Sequence, residues 1–279
     1  MNLPAFSSEV MNLNINNNVP FLTFKELENI SFVNHAFSTR LGGVSSGEFS
    51  TMNLALNRGD DENKVITNYK LFCHATGFEF DTLVASAQDH NTIVRKVTKN
   101  DCGIGITKPR DMDSVDALVT NEIGVTLVTY YADCTPVFFI DKNKKVIALA
   151  HAGWRGTVNK ICSNVIKTMT TDYNSDTKDI YCFIGPAISK CCYEIDQSCY
   201  DNFTSVEGLD LDKIMTTKSN GKYMADLLET NKQILMLSGV PENNITISDV
   251  CTRCNSDLLW SHRATNGKRG TMCAFMCIK

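Results

Sequence analysis

Two residues able to do chemistry, Cys134 and His151, stand near the two ends of the apolar stretch YYADCTPVFFIDKNKKVIALAHAGWRGTV, residues 130–158. A thiol and an imidazole can share a metal ion, or work as nucleophile and general base. Either use requires that they share a face. PVFFIDK and KVIALAH read as paired strands around KNKK. A two-residue turn at Asn143–Lys144 opposes Pro136 to His151 and leaves Cys134 one diagonal step away on the same face. A turn at Lys142–Asn143 opposes Cys134 directly to His151. Such cross-strand neighbours have Cβ atoms roughly 5–8 Å apart. A metal about 2.3 Å from sulfur and 2.0 Å from nitrogen bridges that gap. An odd-numbered loop would put the two side chains on opposite faces.

A third ligand must come from elsewhere. The chain has five histidines, His35, His74, His90, His151 and His262. His74 falls inside a helical pattern. His90, in ASAQDHNTIV, occupies a polar break between two β-like runs, where rigid flanks can present a ligand, although a lone histidine in such a place is more often structural. Two histidines and one cysteine leave a fourth position open, the arrangement of a catalytic rather than a structural zinc. A rival site lies near the carboxyl terminus, where CTRC and CAFMC place cysteines at 251, 254, 273 and 277 with spacing close to a zinc ribbon. TMCAFMCI reads as a strand, however, and residues four apart in a strand are separated by roughly 13 Å. The first pair also lacks the glycine that often permits a tight metal knuckle. Core thiols are the better account of these four.

The elements that must position these residues are legible from periodicity. Residues 61–77 read as a helix with Val65, Ile66, Tyr69, Phe72 and Cys73 on one face and Gly77 closing it. Residues 157–173 carry a second apolar stripe, with Thr157 as N-cap. A short third helix includes Cys199 to Phe203, and a fourth lies near 222–238, stopped by Gly239 and Pro241. Nine β-like runs lie between: TLVASAQ, NTIVRKV, ALVTN, VTLVTYY, PVFFIDK, KVIALAH, DIYCFIG, NITISDV and TMCAFMCI. Several are continuously apolar, as strands covered on both faces are. Without a regular βαβ rhythm, the expectation is an α/β fold of mixed sheets with helices on their outer faces, forming a single domain over 1–279. Residues 1–30 read as a less certain extension, the polar NLNINNN being at most a turn or an adaptable edge. Gly103 and Gly105 in CGIGIT open no helix and lack the third glycine of a dinucleotide fingerprint.

Composition narrows the class. A hydrophobic fraction of 43%, a charged fraction of 21% and a net charge of −4 over 279 residues describe an ordinary soluble globular protein, with no basic stripe for nucleic acid. Met1–Pro20 shows no signal-peptide pattern, and no apolar run reaches membrane length. Twelve cysteines in a chain of this kind are expected to be reduced thiols in a cytoplasm.

Several stretches together resemble one family: HAFSTRLGGVSSGEFSTMNLALNRGDD (35–61), QDH (88–90), DALVT (116–120), ADCTPVFFID (132–141), AHAGWRGTV (150–158), FIGPAISKCCYEI (183–195) and CTRCNSDLLWSHRATNGKRG (251–270). The chain is similar over about residues 30–279 to the laccase-domain, or multicopper polyphenol oxidoreductase, family. Its members are described as purine nucleoside phosphorylases, and some as peptidoglycan editing factors. The resemblance implies a single laccase-like α/β fold. It also implies a zinc site held by His90, Cys134 and His151, and phosphorolysis of adenosine, inosine, guanosine and methylthioadenosine together with adenosine deamination. Arg40 and Asn53 fall in the amino-terminal motif that contributes to the pocket. Arg40, beside two glycines, suits an oxyanion because a guanidinium matches phosphate bidentately. The ending departs from the family pattern, with His262 where an aromatic is frequent, leaving the roles of His262, Arg263 and Arg269 open.

Chemistry discriminates among the implied functions. Multicopper oxidation needs roughly ten histidines for its copper centres; five, with no His-x-His pair, exclude it, while a single copper ion remains compatible with the ligand set. An open-position zinc lowers the pKa of water toward 7, which suits deamination. Asp133 or Asp89 stands close enough in sequence to shuttle a proton or to support a ligand through a hydrogen bond. For phosphorolysis Arg40 would position phosphate. The expected partners are purine nucleosides and phosphate, with neither nucleic acid nor membrane, and the oligomeric state is undetermined. Two other readings use the same residues: a cysteine hydrolase with Cys134 as nucleophile and His151 as base, acting for example on peptidoglycan precursors, or an editing partner in wall synthesis.

Overall fold

The polar run near the amino terminus becomes an edge hairpin. In the computed structural model, which describes residues 3–279, strands β1 (Met11–Asn16) and β2 (Val19–Phe24) pair antiparallel across Asn17 and Asn18. The first two positions of the expected 1–279 domain lie outside the described residues. Both asparagines are left-handed, with φ of 50° and 62°, the turn whose twist matches that of the strands it joins. There follow β3 (Val33–Ser38), α1 (Glu62–Thr76), β4 (Leu83–Ala85), β5 (Val94–Lys96), β6 (Ala117–Thr120) and β7 (Thr126–Tyr131). Next come β8 (Thr135–Asp141), β9 (Val146–Ala152), α2 (Trp154–Val158), α3 (Ile161–Tyr173) and β10 (Ile180–Ile184). A smaller lobe of structure contains β11 (Glu194–Ile195), α4 (Gln197–Thr204), α5 (Leu211–Ile214), β12 (Met215–Thr217) and β13 (Tyr223–Ala225). The chain closes with α6 (Leu227–Leu237), β14 (Ile245–Ile247), α7 (His262–Thr265) and β15 (Met272–Ile278).

All nine β-like runs contain a strand. The first sheet has the order β1-β2-β3-β15-β7-β4 and the second β14-β10-β8-β9-β6-β5, while β11-β13-β12 form a third. Parallel and antiparallel pairs mix within both large sheets. The continuously apolar strands are sandwiched, as expected. In β8, Phe138 and Ile140 face the first sheet, while Val137 and Phe139 face helices α3 and α6. In β9, Ile147 and Leu149 point between the sheets, and Ala148, Ala150 and Ala152 lie under Ile161, Val165 and Met169 of α3. Small residues on that face let the helix approach closely. On the far side of the first sheet, Val65, Tyr69 and Phe72 of α1 pack against Phe275 of β15. The layers therefore run helix, sheet, sheet, helix, with helices outermost.

Two helix boundaries correct the sequence expectations. Asp61 and Gly77 do bound α1, Asp61 accepting from the Asn63 amide and Gly77 adopting φ 75°. The stripe over 157–173 is broken, however: α2 ends before Lys160, which has φ 63°, and α3 starts after it. Thr157 is a buried residue within α2, receiving the Asn231 side-chain amide at 3.1 Å, and is not an N-cap. The fourth helix begins at Leu227 under an Asp226 cap that accepts from the Glu229 amide, because Tyr223–Ala225 is committed to the third sheet. The CTRC and CAFMC cysteines also divide: Cys273 and Cys277 lie in β15, whereas Cys251 and Cys254 sit in a loop, Cys254 exposed. The core-thiol account holds for the buried Cys273 and fails for Cys254.

Candidate active site and metal centre

The site is built at the corner where the chain leaves one sheet for the other. Strand β7 belongs to the first sheet and β8 to the second, and residues 132–134 carry the crossing. Asp133 takes φ 85° there, a left-handed conformation that Asp tolerates better than most residues. Its carboxylate is held on both sides, by the Thr252 hydroxyl at 2.7 Å and the Arg263 amide at 2.7 Å. Cys134 is thereby delivered to the head of β8. Pro136 pairs with His151 across β8 and β9, the first of the two registers that put Cys134 and His151 on one face. Cys134 continues the face of Phe138 and Ile140, and His151 continues the face of Ile147 and Leu149. Both side chains therefore point into the rim of the gap between the sheets.

His90 arrives on the polar loop after β4, in a left-handed conformation of φ 69°. The backbone amides of Asp89, His90 and Asn91 donate to the Asp116 carboxylate at 3.2, 3.2 and 2.9 Å. Asp116, fully buried just before β6, also faces His151 Nδ1 at 2.7 Å. A carboxylate at Nδ1 selects the tautomer with hydrogen there and leaves Nε2 free to coordinate. One carboxylate thus orients both histidines. The ligand atoms of His90, Cys134 and His151 lie within 4.8 Å of one another, and the two imidazole rings are 4.9 Å apart at 63°. Gly153 makes room for the trio, since a Cβ there would sit 2.4 Å from His90 Nδ1 and 3.2 Å from Cys134 Sγ.

Two nitrogens and one sulfur, with a carboxylate behind one of them, fit a borderline-soft divalent ion such as zinc better than the oxygen-seeking magnesium or calcium. Electrostatics agree. Desolvation and then the neighbouring His151 lower the pKa of His90, favouring the neutral imidazole that binds metal. Burial alone would lower His151, yet Cys134 and Asp116 outweigh it and raise it to about 9. The site therefore attracts positive charge at Nε2, whether proton or metal.

Beside the trio opens a cavity lined by Arg58, Arg110, Arg269, Tyr130, Tyr131 and Gln88, among others. Gln88 is fully engaged, accepting from the Tyr130 amide at 2.6 Å and donating to its carbonyl at 2.9 Å, so it fixes the wall. Arg269 donates from one terminal nitrogen to the Gly270 carbonyl and the Thr271 hydroxyl, both at 3.0 Å. Its Nε is buried without a hydrogen-bond partner, an arrangement that calls for an acceptor. Burial and nearby Arg58 lower the Arg269 pKa. Three guanidinium side chains lining one cavity make it a place for an anion.

Other expected residues stand elsewhere. Arg40 donates to the Ser256 carbonyl at 2.8 Å and stacks 3.9 Å over Trp260, and it does not line the cavity. Its guanidinium is committed to the protein because the TRLGG turn aims it at the loop preceding α7. Asn53 is buried and acts one step behind the cavity: its Oδ1 accepts from the amides of Ala55 and Thr271, which do line it. Asp133 is the corner residue described above, and Asp89 accepts from the Ser114 hydroxyl at 2.9 Å; neither lines the cavity. Arg263 donates to the Glu194 carbonyl at 3.1 Å, and exposed His262 packs near Gly267. His35 is structural, its Nε2 accepting from the Phe24 amide at 2.8 Å.

The residues that sequence reasoning missed are Asp116, Gly153, Arg58 and Arg110. A signal existed for two of them. Asp116 is an acidic residue heading the fully buried strand ALVT, and Gly153 follows His151 by two positions in HAGWRGT. Arg58 and Arg110 carry no local pattern.

Residues 34–279 match the family described as multi-copper polyphenol oxidoreductase laccase. The purine nucleoside phosphorylase YlmD of Geobacillus stearothermophilus is 36% identical over 240 residues, 86% of this chain and 88% of that protein. Its crystal structure aligns with a TM-score of 0.89 at 33% identity, covering 96% of this chain and 98% of the other. The crystal structure of the Bacillus licheniformis hypothetical protein YfiH aligns equally well, with a TM-score of 0.89 at 31% identity over 96% and 99% of the two chains. With its fold of two large sheets and a small third, and with a match that spans nearly all of it, the chain belongs to the multi-copper polyphenol oxidoreductase laccase family.

Proposed function

We propose that this protein is a zinc-dependent purine nucleoside phosphorylase. Supporting this reading is one combination: the His90–Cys134–His151 trio opens onto a cavity that carries three arginines, in a chain whose relatives are named purine nucleoside phosphorylase. Phosphorolysis needs an anion held against a neutral sugar while a purine departs. Arg269, Arg58 and Arg110, which line the cavity, would bind and orient the phosphate, whose oxygen attacks the anomeric carbon as the glycosidic C–N bond breaks. The half-buried Tyr130 ring offers a wall to the purine or ribose, backed by the buried Tyr131. When bound, zinc would supply Lewis-acid polarisation at that wall of the cavity. Asp116 keeps the Nδ1 proton on His151, and Gln88 holds Tyr130 in place. Adenosine, inosine, guanosine and methylthioadenosine are the proposed substrates, with adenosine deamination at the same site and a cytoplasmic setting. No helix among the described residues is long and apolar enough to cross a membrane.

A second reading has its own observation. Cys134, His151 and Asp116 follow the order nucleophile, base and orienting carboxylate, as a cysteine hydrolase requires. The deciding experiment incubates purified protein with adenosine, with and without phosphate and with and without a chelator, and separates adenine, inosine and hypoxanthine chromatographically. Phosphate-dependent adenine that the chelator abolishes supports the first reading. Turnover untouched by the chelator but abolished by Cys134→Ala moves the assignment to Cys134 as nucleophile. No product from folded, zinc-loaded protein rejects adenosine as a substrate.

A further inference from the structure

A second group of ligand-bearing side chains lies outside the cavity. Strands β10 and β14 run parallel as neighbours, so the segments that follow them leave the second sheet side by side. One segment carries Cys191 and Cys192, the other Cys251 and Cys254. The two are laced together by the Thr252 amide donating to the Ala187 carbonyl at 3.0 Å. Their four sulfur atoms converge within 4.8 Å of one another. Cys191 Sγ lies 3.7 Å from both Cys192 Sγ and Cys254 Sγ, and Cys192 Sγ lies 3.4 Å from Cys254 Sγ.

These separations discriminate. A disulfide brings sulfurs to about 2.05 Å. Four sulfurs at about 2.3 Å around one tetrahedral ion lie about 3.8 Å apart along each edge, close to the spacings here. Ordinary core packing does not explain the group, because Cys191 and Cys254 are exposed, unlike the buried Cys162 and Cys182. The Ser189 amide donates to Cys251 Sγ at 3.4 Å, and the amides of Arg253 and Cys254 face the same sulfur. Backbone donors aimed at a cysteine sulfur are the outer hydrogen bonds that orient a metal ligand. The side chain of Arg253 reaches Cys192, placing positive charge beside the group of cysteine sulfurs.

We propose that Cys191, Cys192, Cys251 and Cys254 form a second metal centre, a closed four-thiolate zinc site with a structural role. Four protein ligands leave no open position, so this centre does not take substrate. Each thiol gives up its proton on binding. Its location defines what it stabilises. The same two segments pin the corner that carries Cys134: the Ile188 amide donates to the Asp133 carbonyl at 2.9 Å, and the Thr252 hydroxyl to the Asp133 carboxylate at 2.7 Å. The ion would staple the backing of the catalytic corner.

The test is metal content of the full chain, purified without chelator and measured by elemental mass spectrometry, with zinc K-edge absorption to count sulfur neighbours. About two zinc ions per chain are expected, one for each centre. Cys191→Ser/Cys254→Ser should fall to about one. His90→Ala/His151→Ala should also retain about one, now surrounded by four sulfurs; this variant tests the site even if the cysteine pair fails to fold. A wild-type content of one zinc that the histidine variant loses would overturn the proposal. So would nitrogen or oxygen neighbours around the retained zinc, a disulfide among these cysteines in the native protein, or iron at full occupancy in place of zinc.

Discussion

His151 Nδ1 lies 2.7 Å from Asp116 Oδ1, and the same carboxylate accepts the amides of Asp89, His90 and Asn91. Asp116 does not line the cavity, yet it sets the ring of His151 and the loop that carries His90. Asp116→Asn keeps the shape and removes the charge. Zinc affinity at the His90–Cys134–His151 site should fall about 10–100-fold, the usual loss when such a supporting carboxylate is changed. Competition with a chromophoric chelator measures it, and an unchanged dissociation constant would refute the role.

Gly153 tests the packing of the trio. An added methyl would stand 2.4 Å from His90 Nδ1, inside contact distance, so His90 has to move. Gly153→Ala should lose zinc from this site while the folded structure, followed by circular dichroism, persists. The backbone there has a negative φ of −68°, which alanine adopts without strain, so any effect comes from the side chain. Retention of zinc at wild-type affinity would show that the loop has slack.

Arg269 tests the anion site. A hydrogen bond to a charged group contributes about 1.5–3 kcal/mol, so Arg269→Gln should raise the KM for phosphate on the order of tenfold or more. The KM for nucleoside should change far less. Equal effects on both would mean that Arg269 shapes the whole cavity and does not bind phosphate.

His35 gives the protein an acid-sensitive core. Burial first, and the charge of Lys279 second, lower its pKa from 6.5 to about 3. The folded state holds it neutral while the unfolded chain takes up a proton below 6.5, so stability is full above that pH. It declines as pH falls toward 3 and levels off below. At 1.36 kcal/mol per unit the whole effect is at most roughly 4–5 kcal/mol. Urea unfolding of His35→Gln should show a shallower loss between pH 6.5 and pH 4 than the parent protein; identical slopes would rule His35 out as the source.

Much of the framework was legible because it is local. Helix α1 is announced by its apolar spacing and by Asp61 and Gly77 at its ends, and the β8–β9 hairpin by two apolar runs around KNKK. Strands β2 and β3 and the third sheet were not, since Pro20 interrupts β2, Asn34 and His35 break the apolar run of β3, and the third-sheet strands are only two or three residues long. The split at Lys160 escaped detection because an apolar stripe continues across it while only the backbone changes hand.

By itself the sequence determined the donor types and the strands that carry Cys134 and His151, and it permitted a common face for the two in two of the possible registers. It also excluded a multicopper centre by its five histidines. Only the tertiary structure decided the rest. Pairing of β8 with β9 chose the register, and β6 beside β9 brought Asp116 to His151 and, through it, the His90 loop. Insertion of β15 between β3 and β7 carried Arg269 to a cavity that also holds Arg58 and Arg110, while Arg40 turned to Trp260. Parallel β10 and β14 joined CC to CTRC, bringing Cys192 to Cys254 across 62 positions of the chain and Cys191 to Cys254 across 63. The reason is physical: periodicity reports which face of its own element a side chain occupies, whereas a site depends on which elements become neighbours, and that is set by burial of the whole core.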